Sequence, residues 1–435
     1  MSATIAVEDL RVGMFVMLDG GWLSHPFPLS SFRITTQEQL ATLRGLGLQQ
    51  VRWSPEKSEL LDEAAAAAGA DAAGASGTAN DAASAAQRQA QEAAAAAALR
   101  KRSLQQQLEA SQRCERQHAE AAKAWRESID LVTARPQLAA QQSEALTRAL
   151  LDRMLTDDDI AIRLVAGSGD RAASHALNVG VISLLIGRTL GLTEPELIEL
   201  GVGALMHDVG KLEVADRFRH AEDGFNANEL AAYRDHVAKG VAVGQRMGLS
   251  AGALRVLAQH HEHVDGIGFP LKLAGERIPL AARVVALVNR YDNLCNPQSR
   301  TPPLTPHEAV SVLFAQGRNR LDPLVLNSFI RMMGVYPAGS LVQLTDDRFA
   351  LVMGVNSSRP LKPRVLVHDP AVPRHEALVI DLETQPSLGI RRSLPPAKLP
   401  PAAIEYLDPR PRISYYFEPL ERPAAEGSQP VELAA

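Results

Sequence analysis

The chain has 435 residues, so two or three domains are expected, and its 46% hydrophobic content can build a core although aromatics supply only 4%. A net charge of −5 gives no basic field for a nucleic-acid polymer, which makes DNA or RNA binding a poor reading. Two cysteines, Cys114 and Cys295, are too few for a disulfide framework or a cysteine zinc site. With neither a signal peptide nor a run of about 18 apolar residues, a cytoplasmic protein that does not enter a membrane is expected.

In chain order, residues 1–60 carry the pattern of a small α/β module: the apolar run GMFVML, the helical TQEQLATLRGLG ending in glycine, and a short strand at VRW. Residues 61–98 form an alanine-rich linker. Its small side chains bury little area, so a mobile or loosely helical tether is predicted. Residues 99–335 read as helical nearly throughout, with 3.6-residue apolar periods and a core at about 150–320. From 336 to 420 the pattern turns β-rich: LVQLTDDRFALVMGV suggests two strands about an Asp-Asp turn, and RVLVHD and EALVIDLE suggest two more. Residues 421–435 are expected to be a disordered tail. The fold class predicted is therefore mainly α, with a small α/β N-terminal module and a small β-rich C-terminal unit.

The helical block sets its histidines on apolar faces. His175 shares a helix face with Val179, Ile182 and Ile186, and His207 and Asp208 end a nearly continuous apolar helix in LIELGVGALMHDVGK. His236 aligns with Val243 and Met247, while His260 and His261 follow Leu254, Val256 and Leu257. One such residue is ordinarily a hydrogen-bonded core histidine. Five together, with Asp208 beside one of them, would cost desolvation energy at each site unless they served one purpose. A divalent metal offers such a purpose, since neutral imidazole is a common ligand and a carboxylate can bridge two ions. Two metals held by His and Asp suit phosphoester hydrolysis, and Lys211, four residues after His207, is placed to meet an anionic substrate.

The ordered motifs DRAASHALNVG, HDVGK, RDHVAKG, HHEHVDGIGFP and ARVVALVNRYDNL, from about Asp170 to Leu304, resemble the HD-GYP family, the branch of the HD metal-dependent phosphohydrolases that degrades the bacterial messenger cyclic di-GMP. Residues Ile5 to Trp53 resemble the domain of unknown function often joined to HD-GYP domains. The resemblance implies an HD-type helical bundle as the catalytic domain and metal ligation by His175, His207, Asp208, His236, His260 and His261, with Asp208 as the bridging carboxylate. It implies two divalent ions, iron or manganese, with Lys211 on a substrate phosphate. Asp265, Gly266, Gly268, Phe269 and Pro270 would shape the substrate pocket, while Glu262 and Asp265 would orient ligands or the loop. The implied products are the linear dinucleotide and, in relatives that go further, GMP. Diguanylate cyclases (GGDEF proteins) are the implied protein partner, docking at Gly266–Pro270.

Four positions depart from the family pattern. Asn289 stands where the family has its last metal-binding aspartate, an amide in place of a charge. Gln298 and Thr301 stand where basic substrate-binding residues are usual, with Arg300 between them as the available cation. Phe269 replaces the tyrosine of GYP. Asn289 and Gln298 would suit a second reading, a cyclic di-GMP receptor or interaction module with little turnover; the retained histidines and Lys211 favour the enzyme. His220 and His263 are read as surface residues.

Overall fold

The computed structural model describes residues 3–17, 31–34, 40, 43–44, 50–55, 58, 78–154, 159–167, 169–222, 224–356 and 359–420. The chain divides into two compact units, Met1–Ala94 and Ala95–Ala435. In the first, β1 (Ala3–Ala6), β2 (Phe15–Met17), β3 (Ser31–Arg33) and β4 (Gln50–Ser54) form an antiparallel sheet in the order β1-β4-β2-β3. Its core is Val7, Leu10, Met14, Val16, Ile34, Leu40, Leu43 and Val51. Of the helix expected at TQEQLATLRGLG, Leu40, Leu43 and Arg44 are helical and the rest lies outside the described residues.

The alanine-rich stretch is described from Thr78 onward, where it opens the 54-residue helix α1 (Thr78–Leu131). Nineteen-residue α2 (Pro136–Met154) follows. The helices that carry or end at the histidines are α3 (Arg171–Thr189), α4 (Glu194–Met206), α5 (Ala227–Met247) and α6 (Ala251–Gln259), followed by α7 (Leu280–Cys295), which carries Asn289, α8 (Pro306–Arg320) and α9 (Pro323–Met333). Local sequence sets their limits. Asp170 caps α3 by accepting from the Ala172 and Ala173 amides, and Thr193/Glu196 and Asn226/Glu229 form capping boxes that start α4 and α5. Gly248 takes the left-handed conformation that ends α5. No helix among the described residues is long and apolar enough to cross a membrane, and both cysteines are buried and free.

The second sheet draws one strand from residues 99–335, whose sequence reads as helical nearly throughout. It runs β10-β6-β7-β5-β11, with β8 on β7 and β9 on β8. Its members are β5 (Asp159–Val165), β6 (Leu341–Leu344), β7 (Phe349–Asn356), β8 (Arg364–Val367), β9 (Val379–Asp381), β10 (Ile390–Ser393) and β11 (Ser414–Leu420). The short apolar run of β5 fits a strand or a buried helix segment equally well by periodicity, and pairing with β7 and β11 decides it. A short helix, α10 (Pro401–Leu407), precedes β11.

This β-rich segment is not packed apart from the helices. Tyr415, Tyr416 and Phe417 of β11 belong to the same buried cluster as Leu177, Ile182 and Val285, each contributing roughly 1.5–3 kcal/mol of apolar burial. Polar bonds fix the seam: the Tyr415 amide donates to Asn178 Oδ1 at 2.8 Å, and Asn178 Nδ2 donates to the Ile413 carbonyl at 2.9 Å. On the sheet side, Arg163 and Arg364 both pair with Glu418, at 2.8 and 2.6 Å.

Candidate active site

Each histidine arrives at the site by a different local device. His175 sits one turn into α3 on its buried face, His207 and His260 are the C-terminal caps of α4 and α6, and His236 is buried in α5. Asp208 follows His207 directly and opens a tight 3-10 turn, Val209–Glu213. That turn closes onto α5 through Gly210: a Cβ there would lie 2.0 Å from the His236 carbonyl and 2.3 Å from the Gly240 amide. Any larger residue would push the His207–Asp208 pair away from His236. The glycine of HDVGK is thus a packing requirement of the site.

Four of the imidazoles share one orientation. His207, His236 and His260 turn Nδ1 to the carbonyls of Ala204, Tyr233 and Leu257 at 2.7, 2.6 and 2.9 Å, and His175 turns Nδ1 to Asp292 Oδ2 at 2.6 Å. An acceptor opposite Nδ1 requires the proton there, which leaves the Nε2 lone pair facing inward. Asp208 lies between the two groups of rings. Its Oδ2 is 3.6 and 3.4 Å from Nε2 of His175 and His207, and its Oδ1 is 3.7 and 3.9 Å from Nε2 of His236 and His260.

Two sets of ligand atoms, His175/His207/Asp208 and Asp208/His236/His260/His261, therefore converge with all atoms of each set within 4.8 Å of one another. Nε2 of His175 is 3.2 Å from that of His207, and His261 and His236 meet in the same way at 3.2 Å. His260 Nε2 and Asp208 Oδ1 are buried without a hydrogen-bond partner. Lone pairs aimed at one another and a buried carboxylate oxygen with no donor are unfavourable unless a cation lies among them. Nitrogen donors with one shared carboxylate fit a divalent transition metal.

The charge states agree with this donor role. Burial, then the neighbouring His207 and His236, holds His260 well below the usual histidine range; burial, then His260, does the same to His261. His236 is lowered chiefly by burial. Burial works against the ionised form of Asp208, but Lys211 and His207 outweigh it and keep its carboxyl well below the carboxylate range. Lys211 Nζ donates to Asp208 Oδ2 at 2.6 Å.

Asn289 is buried on α7 and lines a cavity of about 270 Å³ with His260 and His261; its Oδ1 accepts from Asn293 Nδ2 at 2.6 Å. A larger cavity, about 500 Å³, is lined by His175, His207, Asp208 and Lys211 with Trp125 and Arg219. In the loop after His261, Glu262 is buried and accepts from the Leu271 and Leu273 amides at 2.6 and 2.9 Å, fixing the turn. Asp265 caps it through the Ile267 amide at 2.9 Å. Gly268 leaves no room for a side chain, since a Cβ would lie 2.5 Å from the Glu262 Cα, and Phe269 stacks on His261 with centroids 4.4 Å apart. Gly266 shapes the turn, Pro270 is exposed beyond it, and neither lines these two cavities.

Several positions differ from the sequence reading. Arg300 is exposed and lines neither cavity. His220 is half-buried rather than on the surface and lines both cavities with Lys211; burial, then Lys211, pushes it down to about 4. His263 is likewise half-buried and lowered, first by burial. Asp292, which is not among the site residues expected from the sequence, supports the cluster: it holds His175 and accepts from Asn178 and Asn296 at 2.7 and 2.9 Å. Its signal was its place one turn after Asn289 on the same helix.

The chain matches the family model described as HD domain over residues 129–325 and the one described as domain of unknown function DUF3391 over residues 2–143. Cyclic di-GMP phosphodiesterase PA4108 of Pseudomonas aeruginosa is 29% identical over 84% of this chain and 85% of its own length. The cyclic di-GMP phosphodiesterase response regulator RpfG of Xanthomonas campestris is 31% identical over 34% of this chain and 39% of its own length. Among solved structures, Bd1817, an HDG"Y"P protein from Bdellovibrio bacteriovorus, overlaps 76% of this chain and 98% of its own at 15% identity and a TM-score of 0.38.

Proposed function

We propose that this chain, an HD-domain protein with an N-terminal DUF3391 module, is a metal-dependent phosphodiesterase that opens cyclic di-GMP to the linear dinucleotide, with GMP as the product of a second cleavage. The observation that carries the reading is the convergence of His175, His207, His236, His260 and His261 on the two oxygens of Asp208. The relatives named as cyclic di-GMP phosphodiesterases supply the substrate class.

His175, His207 and Asp208 would hold one divalent ion, and Asp208, His236, His260 and His261 a second, with iron or manganese the metals in view. When bound, such a pair supplies Lewis acidity and an activated water at neutral pH. The chain's own groups do the rest. Asp208 offers one oxygen to each side, and the carbonyls behind Nδ1 hold the rings in one tautomer. Lys211, on the wall of the large cavity, is placed to exchange its bond to Asp208 for a phosphate oxygen and neutralise charge that grows there during attack. Phe269 and Glu262 keep His261 and its loop in place.

The test is anaerobic purification with metal analysis, followed by turnover of cyclic di-GMP. Two divalent ions per chain and release of the linear dinucleotide are expected. A metal-loaded preparation that leaves cyclic di-GMP intact while cleaving ordinary nucleoside phosphates would sink the reading.

A further inference from the structure

A cyclic dinucleotide carries two phosphates, and the histidine cluster with Lys211 accounts for one. A third cavity, about 410 Å³, adjoins the catalytic one, with Asp170, Arg171, His175 and Gln298 in the walls of both. Arg171 opens α3 one turn before His175. Arg410 and Arg412 reach the same cavity from the other end of the chain, on the segment between α10 and β11.

That segment is held firmly. Next to Arg412, the Ile413 amide donates to Asn296 Oδ1 at 2.9 Å, and the Ile413 carbonyl accepts from Asn178 and Asn296 at 2.9 and 2.8 Å. The strand after it is therefore bonded to α3, which carries His175, and to the end of α7, which carries Asn289. Burial, then the charge of Arg171, lowers the Arg412 guanidinium from its usual range, so the two cations act on one another.

The acids in this wall are engaged elsewhere. Asp170 caps α3 and lies 3.6 Å from Arg126, and Asp292 accepts from His175, Asn178 and Asn296. Arg410 is 4.0 Å from Glu115, an exposed pair of little strength. Guanidinium groups gathered beside a catalytic cavity, with the local carboxylates committed, match the bidentate geometry of a phosphate. Gln298 and Thr301 supply no cation at the position where the resemblance led one to expect it.

Resting on the phosphodiesterase reading, we propose that Arg171, Arg410 and Arg412 form a second anion subsite that grips the phosphate of cyclic di-GMP that is not being cleaved. The C-terminal β segment thereby takes part in substrate recognition.

The full-length protein, wild type and with Arg412→Glu, Arg412→Gln or Arg171→Ala, is titrated with cyclic di-GMP and with GMP after chelator treatment, so that binding is read without turnover. The metal-loaded forms are assayed on cyclic di-GMP and on the single-phosphate diester bis(p-nitrophenyl) phosphate. The variants are expected to bind cyclic di-GMP about tenfold more weakly and to raise KM to match, with kcat within about threefold of wild type. Cleavage of the small diester stays unchanged, and binding of GMP, whose single phosphate can sit in either place, falls by less than that of cyclic di-GMP. Wild-type affinity for cyclic di-GMP in all three variants overturns the subsite while leaving the phosphodiesterase reading intact. An equal loss on the small diester also overturns it, because the damage then lies at the cluster. A wild-type protein that neither binds nor cleaves cyclic di-GMP overturns both.

Discussion

Buried histidines occur in two regions of this molecule, and they are built differently. In the cluster, His207, His236 and His260 each have Nδ1 tied to a carbonyl and Nε2 aimed at Asp208 or a neighbouring ring. At the seam between α1 and β11, His118 is fully buried with neither ring nitrogen hydrogen-bonded, and it meets Tyr416 edge-on at 5.9 Å. Burial alone therefore does not mark a site. A fixed acceptor on the outer nitrogen and convergence of the inner ones do, because together they prepare a lone pair for a cation.

The largest expected effect comes from removing the shared carboxylate. Asp208→Asn should lower kcat/KM on the order of 10³-fold and strip metal from both halves, as measured by metal content per chain; if full metal occupancy persists, Asp208 is not shared. Next comes the acid behind the ring. Asp292→Asn keeps the shape around His175 but weakens the acceptor, and metal affinity in that half should fall about 10–100-fold in a chelator competition, with the His260 half spared. A smaller gain is expected at Asn289→Asp. This half has more imidazoles than the other but lacks a carboxylate such as Asp292 behind them, so a new negative charge should tighten the second ion about tenfold. Unchanged occupancy would show that Asn289 stands outside the ligand set.

Much of this contrast was legible in the sequence, because the periodicity of α3 to α6 turns His175, His207, His236, His260 and His261 toward the core, and helix ends explain how His207 and Asp208 diverge. Tertiary facts were not legible. The role of Asp292 depends on α7 facing α3, and the half-burial of His220 depends on how the loop after the Val209–Glu213 turn folds back over the cavity. Strand β5 was missed because a short apolar run has no decisive period. The arginines at 410 and 412 lie more than two hundred residues from His175, and the bonds of Ile413 and Tyr415 to Asn178 and Asn296, with the packing of β11 on α3, bring them near it.

The smallest effect on catalysis is expected at His118, which should leave turnover unchanged while altering acid stability. Burial pushes its pKa down to about 4 in the folded protein, against about 6.5 when unfolded. As pH falls through 6.5 the unfolded chain takes up the proton first. Stability is thus fully present above that value, declines between 6.5 and 4, and declines no further on this account below 4. The loss at pH 5 amounts to about 2 kcal/mol. His118→Phe keeps an aromatic edge for Tyr416 and cannot take up the proton. Chelator-treated wild type and variant both contain the cluster histidines, so comparing their urea midpoints at pH 7.5 and pH 5 isolates His118. The variant should lose less stability on acidification, and parallel losses would place the seam histidine's proton uptake in the folded state as well as the unfolded one.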